Sequence, residues 1–124
     1  MCKFSGLAFS TFILFGCANV FATQGDVGPV YIQSVGVISL VSGGGHQAGN
    51  MEIRIQGGFS MPAGIACDPN YITTLKTSDP DKKLFALASM AQASKQPVFL
   101  HITDDSALTA FPGRCSLMTV SVGN

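Results

Sequence analysis

Residues 67–115, CDPNYITTLKTSDPDKKLFALASMAQASKQPVFLHITDDSALTAFPGRC, contain the pattern that decides the fold. Between the two cysteines lie a β-prone run (Tyr71–Lys76), a breaker rich in Ser, Asp and Pro, an Ala-rich helical pattern and a second β-prone run (Pro97–Thr103). The second cysteine opens the last β-prone run. The stretch therefore predicts strands on both sides of one helix, framed by Cys67 and Cys115.

The helix is predicted from its start and its periodicity. Ser78 or Asp79 is expected to cap it, with Pro80 preorganised at the first helical position. The helix should end near Ser94, before the sequence Lys-Gln-Pro. Apolar residues at helical spacing form the stripe expected to face a sheet: Leu84, Phe85, Leu87, Ala88 and Ala91.

The strands that precede the frame have two different patterns. Pro29–Val41 is β-branched and too long for one flat strand, and Gly36 suggests a bulge that lets one strand serve both halves of a sheet. Residues 23–28 are expected to be a frayed start. Met51–Gln56 alternates, so Met51, Ile53 and Ile55 should face inward, and Glu52, Arg54 and Gln56 outward.

Adding Val98–Ile102 and Cys115–Val122 gives the order β-β-β-α-β-β, with the helix between the third and fourth strands. That is the order of the five-stranded oligonucleotide/oligosaccharide-binding (OB) barrel. The sequence therefore predicts a mainly β fold with one helix, an OB-like barrel. A small α+β sandwich is the alternative.

The first 22 residues have the pattern of a secretory signal peptide. Lys3 precedes an apolar run from Leu7 to Phe15, and small residues precede an expected cleavage site after Ala22. The alternative is a lipobox ending at Cys17, which would then carry lipid. Residues 23–124 are expected to form one small secreted or periplasmic domain with no membrane span.

Cleavage would leave Cys67 and Cys115 as the remaining cysteines in an oxidising compartment, where one disulfide is the simplest expectation. The chain-entropy model gives such a long loop roughly 4 kcal/mol of stabilisation. Metal ligation is the alternative, but neither cysteine has a partner at CxxC or CxxH spacing. No metal or cofactor is predicted.

Charge and motif content argue against several classes of function. Without Lys3, six scattered basic residues stand against seven acidic ones, so no basic stripe favours nucleic acid. His101 with Asp104 and Asp105 lacks a nucleophile in a recognisable motif, and catalysis is not expected. Asp104 and Asp105 are better explained as turn residues.

The expected contact residues are those of the Gly-rich loop and the outward strand face that follows it: His46, Gln47, Glu52 and Arg54. In OB folds this strand face and its flanking loops bind ligands, and a free strand edge can pair with another subunit.

The layout of Cys67, Tyr71, the helix Leu84–Ala93, the strand in Lys95–Ile102 and Cys115 resembles a group of small secreted bacterial proteins. It also resembles the B subunits of pertussis-like and subtilase-type AB5 toxins, OB-fold pentamers that bind cell-surface glycans. The resemblance implies a non-catalytic binding module that can form a homo-oligomer and whose ligand is a glycan or an envelope protein. A structural or inhibitor-like envelope protein acting through protein contacts is the alternative.

Overall fold

The computed structural model describes residues 22–39 and 46–123. The predicted signal peptide lies outside these residues except for Ala22, which is exposed. The described residues form six strands and one helix. In chain order they are β1 (Gln24–Val30), β2 (Ile32–Val37), β3 (Met51–Ile55), β4 (Tyr71–Thr74), α1 (Lys83–Ser94), β5 (Val98–Thr103) and β6 (Cys115–Val122).

The strands form one sheet in the order β1-β5-β6-β4-β3-β2. Neighbouring strands are antiparallel except β4 and β6, which are parallel. The strands at the two ends of this order, β1 and β2, follow one another in the chain and are separated only by Tyr31. The prediction of a mainly β fold with one helix is confirmed, whereas the sheet has six strands rather than five.

The extra strand arises because the first predicted strand is divided and begins earlier than expected. Residues 23–28 are not frayed, since Gln24 to Val27 pair with β5 and the Thr23 carbonyl accepts hydrogen bonds from Thr103 Oγ1 and Asp104 N. The irregularity expected at Gly36 is also wrong. Gly36 pairs regularly with Glu52, and the register shifts instead on both sides of Tyr31.

The core lies where period-two alternation places it. Met51, Ile53 and Ile55 of β3 are buried, as predicted, and β5 contributes Val98, Leu100 and Ile102. On β6 the inward positions change at Met118, where a register shift against β5 inserts one extra residue. Leu117 and Val120 are therefore both buried although they lie three residues apart.

Helix α1 ends at Ser94, as expected, but it begins at Lys83, later than the position predicted for Pro80. Lys82 has φ 58° and precedes the first helical turn. Although Asp79 lies outside the helix, its side chain still binds free backbone N–H groups of the first helical turn. Its carboxylate accepts hydrogen bonds from the backbone N–H groups of Leu84 and Phe85, at 3.1 and 3.0 Å.

The predicted disulfide between Cys67 and Cys115 is confirmed. It connects the segment before β4 to the first residue of β6, beside the parallel pairing of these two strands. That pairing comprises two residue pairs, Ile72 with Cys115 and Thr73 with Ser116. In the described part of the chain, no helix has the length and apolar character needed to cross a membrane.

Candidate functional site

A half-buried arginine stands at the centre of the candidate site. The Arg114 guanidinium forms an ion pair with Glu52 and lies over the rings of Tyr71 and Phe111, 4.3 and 4.5 Å from their centroids. His46 stacks on Phe111 with ring centroids 4.3 Å apart. We call these five residues the Arg114 cluster.

Four separate parts of the chain supply this cluster. Glu52 points outward from β3 because its neighbours Met51 and Ile53 point inward, and Tyr71 opens the adjacent strand β4. His46 comes from the segment before β3. Phe111 and Arg114 come from the loop between β5 and β6, immediately before the disulfide.

A compact turn positions the two loop residues. The Arg114 N–H donates to the Phe111 carbonyl, and the Thr109 hydroxyl lies within hydrogen-bond distance of both the Phe111 and Arg114 carbonyls, at 2.5 and 2.8 Å. The Asp68 N–H donates to the Gly113 carbonyl, which ties the loop to the segment after Cys67. These contacts present Arg114 to Glu52 while Cys115 starts the last strand.

Burial and charge decide the protonation of the cluster. Burial lowers the pKa of Arg114, whose guanidinium nevertheless stays protonated because its ordinary value is so high. Burial also lowers the pKa of His46, and the neighbouring Arg114 charge lowers it further. Glu52 lies 3.5 Å from His46 Nε2, but its carboxylate is already paired with Arg114. The imidazole is therefore neutral at pH 7.

Arg54 adds an exposed positive charge at the edge of the cluster. It lies two residues after Glu52 on the same face of β3 and is the register partner of Tyr71. Its guanidinium carbon is 5.7 Å from the centroid of the Tyr71 ring, on which Arg114 also packs. Two arginines against one glutamate leave this surface with a net charge of about +1.

The four residues expected from the sequence are placed differently. His46 and Glu52 meet in the Arg114 cluster, and Arg54 borders it through Tyr71. Gln47 is exposed, and its backbone carbonyl accepts a hydrogen bond from the Asn50 N–H. Sequence reasoning missed Tyr71, Phe111 and Arg114. The one hint was an aromatic and a basic residue within four positions just before Cys115.

The other histidine, His101, has a different environment. Its Nδ1 lies 2.7 Å from Asp26 Oδ1, and its Nε2 lies 3.2 Å from Gln24 Oε1, both on β1. No serine or cysteine side chain is among these partners. Within residues 22–39 and 46–123, no group of three or more His, Cys, Asp or Glu side chains is arranged to hold a metal ion.

Comparisons with protein-family models, with curated proteins and with solved structures found no match to this chain.

Proposed function

We propose that the protein is a secreted, non-catalytic binding module built on an OB-like barrel, and that its ligand is a glycan. In this proposal β1 and β2 act as one long strand that bends at Tyr31. Its first half pairs with β5 and its second half with β3, so the two ends of the strand order are joined through the chain itself. The parallel contact of β4 with β6 and the position of α1 fit the same architecture.

The observation that carries the proposal is where the Arg114 cluster lies. OB folds bind ligands on the face of their second and third strands and on the loops between strands one and two and between strands four and five. In OB-like order these elements are β3, β4, the segment before β3 and the segment before β6. Strand β3 supplies Glu52 and β4 supplies Tyr71. The segment before β3 supplies His46, and the segment before β6 supplies Phe111 and Arg114.

The charge of this surface favours an acidic sugar over a neutral one. Arg54 is exposed and offers the planar guanidinium that binds a carboxylate through two parallel hydrogen bonds. Glu52 holds Arg114 against the two rings, so the neighbouring cation is already ordered before a ligand arrives. The chain has no Trp, so contacts with a sugar ring fall to Tyr and Phe.

The resemblance to AB5 toxin B subunits adds two elements to the proposal, secretion after cleavage at Ala22 and assembly into a homo-oligomer. Native mass spectrometry of protein purified from an oxidising compartment tests both. A chain starting at Thr23 in a closed ring supports a toxin-like subunit. A monomer contradicts the toxin-like assembly, and a diacylglyceryl group on Cys17 contradicts release from the membrane.

A glycan array probed with residues 23–124 tests the ligand class. We expect binding to sialylated or otherwise acidic glycans, weakened about tenfold or more by Arg54→Ala. Arg114→Lys keeps the charge but loses the planar stacking, so it should also weaken binding. Lys83→Ala removes an exposed cation on α1 and serves as the control. If Lys83→Ala weakens binding equally, the loss would reflect only the net charge of the protein and not a contact at Arg54. An array without bound glycans would overturn the proposal.

The second candidate function is recognition of an envelope protein through protein contacts alone. It is favoured by two exposed apolar side chains, Phe99 and Met118, on the neighbouring strands β5 and β6. Exposed apolar side chains of this size are common at protein interfaces. Under this alternative Phe99→Ser should abolish capture of a partner from envelope extracts, whereas Arg54→Ala should leave it intact.

A further inference from the structure

A second concave surface lies between the strand break at Tyr31 and the carboxyl end of α1. It has a volume of about 600 Å³, within the range of roughly 300–1,000 Å³ that is usual for ligand pockets. We call it the Tyr31 groove. It shares no lining residue with the Arg114 cluster. Its walls are formed by Tyr31, Gln33, Gln56, Gln92, Lys95 and Gln96.

The floor and walls of the groove differ in character. Buried Ile32 and Ala91 form an apolar floor, whereas Gln33 and Gln56 on the strand side face Gln92 and Gln96 on the helix side. One hydrogen bond already links the two walls, from Gln92 Nε2 to the Gln33 carbonyl at 3.4 Å. The groove therefore lies where α1 packs against β2.

Four amide side chains in one groove favour a ligand with many hydroxyl groups. A glutamine side chain carries two N–H donors and a carbonyl acceptor, which match the paired donors and acceptors of neighbouring sugar hydroxyls. One donor of Gln92 is already bonded to the Gln33 carbonyl, and the remaining groups are available to a ligand. Tyr31 is 48% exposed, so its ring offers an apolar face beside these amides. A pyranose presents that same combination, an apolar face of C–H groups surrounded by hydroxyls.

The charges around the groove favour a neutral ligand. Lys95 is the single charged side chain among the lining residues. Lys95 and Gln96 also lie at the carboxyl end of α1, where their N–H groups donate to the carbonyls of Gln92 and Ala91. The carbonyl end of a helix carries partial negative charge, which opposes a carboxylate and partly offsets the lysine. A nucleic acid would need several cations here.

We propose that the Tyr31 groove binds a neutral saccharide unit, with the sugar ring on Tyr31 and its hydroxyls bonded to the glutamine amides. The inference rests on the proposed glycan-binding function and gives that function a second contact region of different chemistry. An acidic glycan could then place its charged residue at Arg54 and a neutral residue in the groove only if its chain spans both surfaces. Neutral sugars should bind the groove on their own, without occupying the Arg114 cluster.

The test is a ¹⁵N–¹H NMR titration of residues 23–124 with lactose, maltose, N-acetyllactosamine and chitobiose. Lactose and 3′-sialyllactose form a matched pair that differs by one acidic residue. We expect the neutral sugars to shift the side-chain amide signals of Gln33, Gln56, Gln92 and Gln96. Tyr31→Ala should weaken that binding about tenfold, and Tyr31→Phe, which keeps the ring, should weaken it much less.

Three results distinguish this inference from the proposed function. Shifts confined to the Arg114 cluster, with Tyr31→Ala without effect, would overturn the groove and leave the proposed function standing. Binding in the groove would be supported if neutral sugars shift its signals, if Gln96→Ala and Tyr31→Ala remove those shifts, and if Arg54→Ala leaves them unchanged. No shift with any of the five sugars would overturn it, while acidic glycans bound on the array would still uphold the proposed function.

Discussion

The surroundings of His46 make protonation of its imidazole less favourable in the folded protein than in the unfolded chain. Burial lowers the pKa of the imidazole from 6.5, and the Arg114 charge lowers it further, while the facing Glu52 is already ion-paired. The unfolded chain therefore takes up a proton at a higher pH than the folded one does. We expect the free energy of unfolding to fall as the pH decreases below about 6.5, and to stop falling on this account below the folded-state pKa.

Urea denaturation between pH 5 and 8 measures this effect when wild type is compared with His46→Gln, because the contributions of other groups largely cancel in the difference. The wild type should lose more stability on acidification than the variant does. Gln47→Ala, an exposed neighbour in the same segment, should keep the wild-type pH dependence. Parallel curves for wild type and His46→Gln would contradict the expectation.

Asp104 forms two hydrogen bonds with Thr23, the residue that follows the predicted cleavage site. The Thr23 N–H donates to Asp104 Oδ1 at 2.9 Å, and the Asp104 N–H donates back to the Thr23 carbonyl at 3.2 Å. Cleavage after Ala22 would turn the Thr23 amide into an ammonium group, which strengthens a hydrogen bond to a carboxylate. Asp104→Asn should then destabilise a chain starting at Thr23 by about 1 kcal/mol.

The matched control is the same substitution in a chain that keeps residues before Thr23, where the donor stays a neutral amide. Chemical denaturation of the four proteins gives the comparison. A cost of Asp104→Asn that is the same in both chains would show that the charge of the terminus contributes nothing.

At the residue scale, sequence pattern could predict which way a side chain points but not what it meets. Alternation in Met51–Gln56 was enough to place Glu52 and Arg54 on the outer face, and the structure agrees. Arg114 lies more than sixty positions from Glu52 and reaches it only because β6 pairs with β4 and β4 with β3. No local period in the sequence encodes that contact.

At the element scale, Asp79 shows how a helix start can be satisfied by a residue outside the helix. Its side chain is largely buried and accepts hydrogen bonds from the N–H groups of Leu84 and Phe85. Asp79→Ala leaves both donors without that partner, so we expect a loss of about 1–2 kcal/mol in the free energy of unfolding. Urea denaturation followed by circular dichroism measures it.

Asp81 provides the matched control for this substitution. It is equally acidic, lies two residues later and is exposed, so Asp81→Ala removes a charge of the same sign near the same helix end. We expect a change of about 0.5 kcal/mol or less. If both substitutions cost the same, the stabilisation would come from charge near the helix dipole rather than from the two hydrogen bonds.

The elements were predictable to different degrees for physical reasons. Asp79 was predicted to cap a helix that starts at Pro80, but the residue that precedes the helix is Lys82. Asp79 lies three residues further back and still accepts hydrogen bonds from the N–H groups of Leu84 and Phe85. The bounds of β6 were predicted as Cys115–Val122. Its inward positions were not, since a bulge at Met118 changes the alternation and depends on pairing with β5.

At the scale of the whole molecule, the sequence predicted one long first strand, Pro29–Val41, shared between two parts of the sheet. The structure has two strands there, β2 paired with β3 and, before it, β1 paired with β5, and most of β1 precedes Pro29. Its position was misjudged because the glycine-containing start looked too weak for a strand. Gly25 is required there for packing, since a Cβ atom at this position would lie 2.6 Å from Pro62 Cβ. Propensity read along the chain misses such a constraint.

The disulfide and the parallel pairing of β4 with β6 both connect the start of β6 to the region of β4. Only two residue pairs link these strands, and Cys115 belongs both to one of them and to the disulfide. Replacing Cys67 and Cys115 together by Ala should therefore lower the free energy of unfolding by about 2–5 kcal/mol, measured by urea denaturation. The same variant should exchange backbone amide hydrogens faster than wild type in β4, in β6 and in the turn from Phe111 to Arg114, because Arg114 directly precedes Cys115. The amides that pair β2 with β3 should change less. A uniform increase across all strands would mean that the disulfide stabilises the molecule only through the unfolded chain, with no local effect on the site.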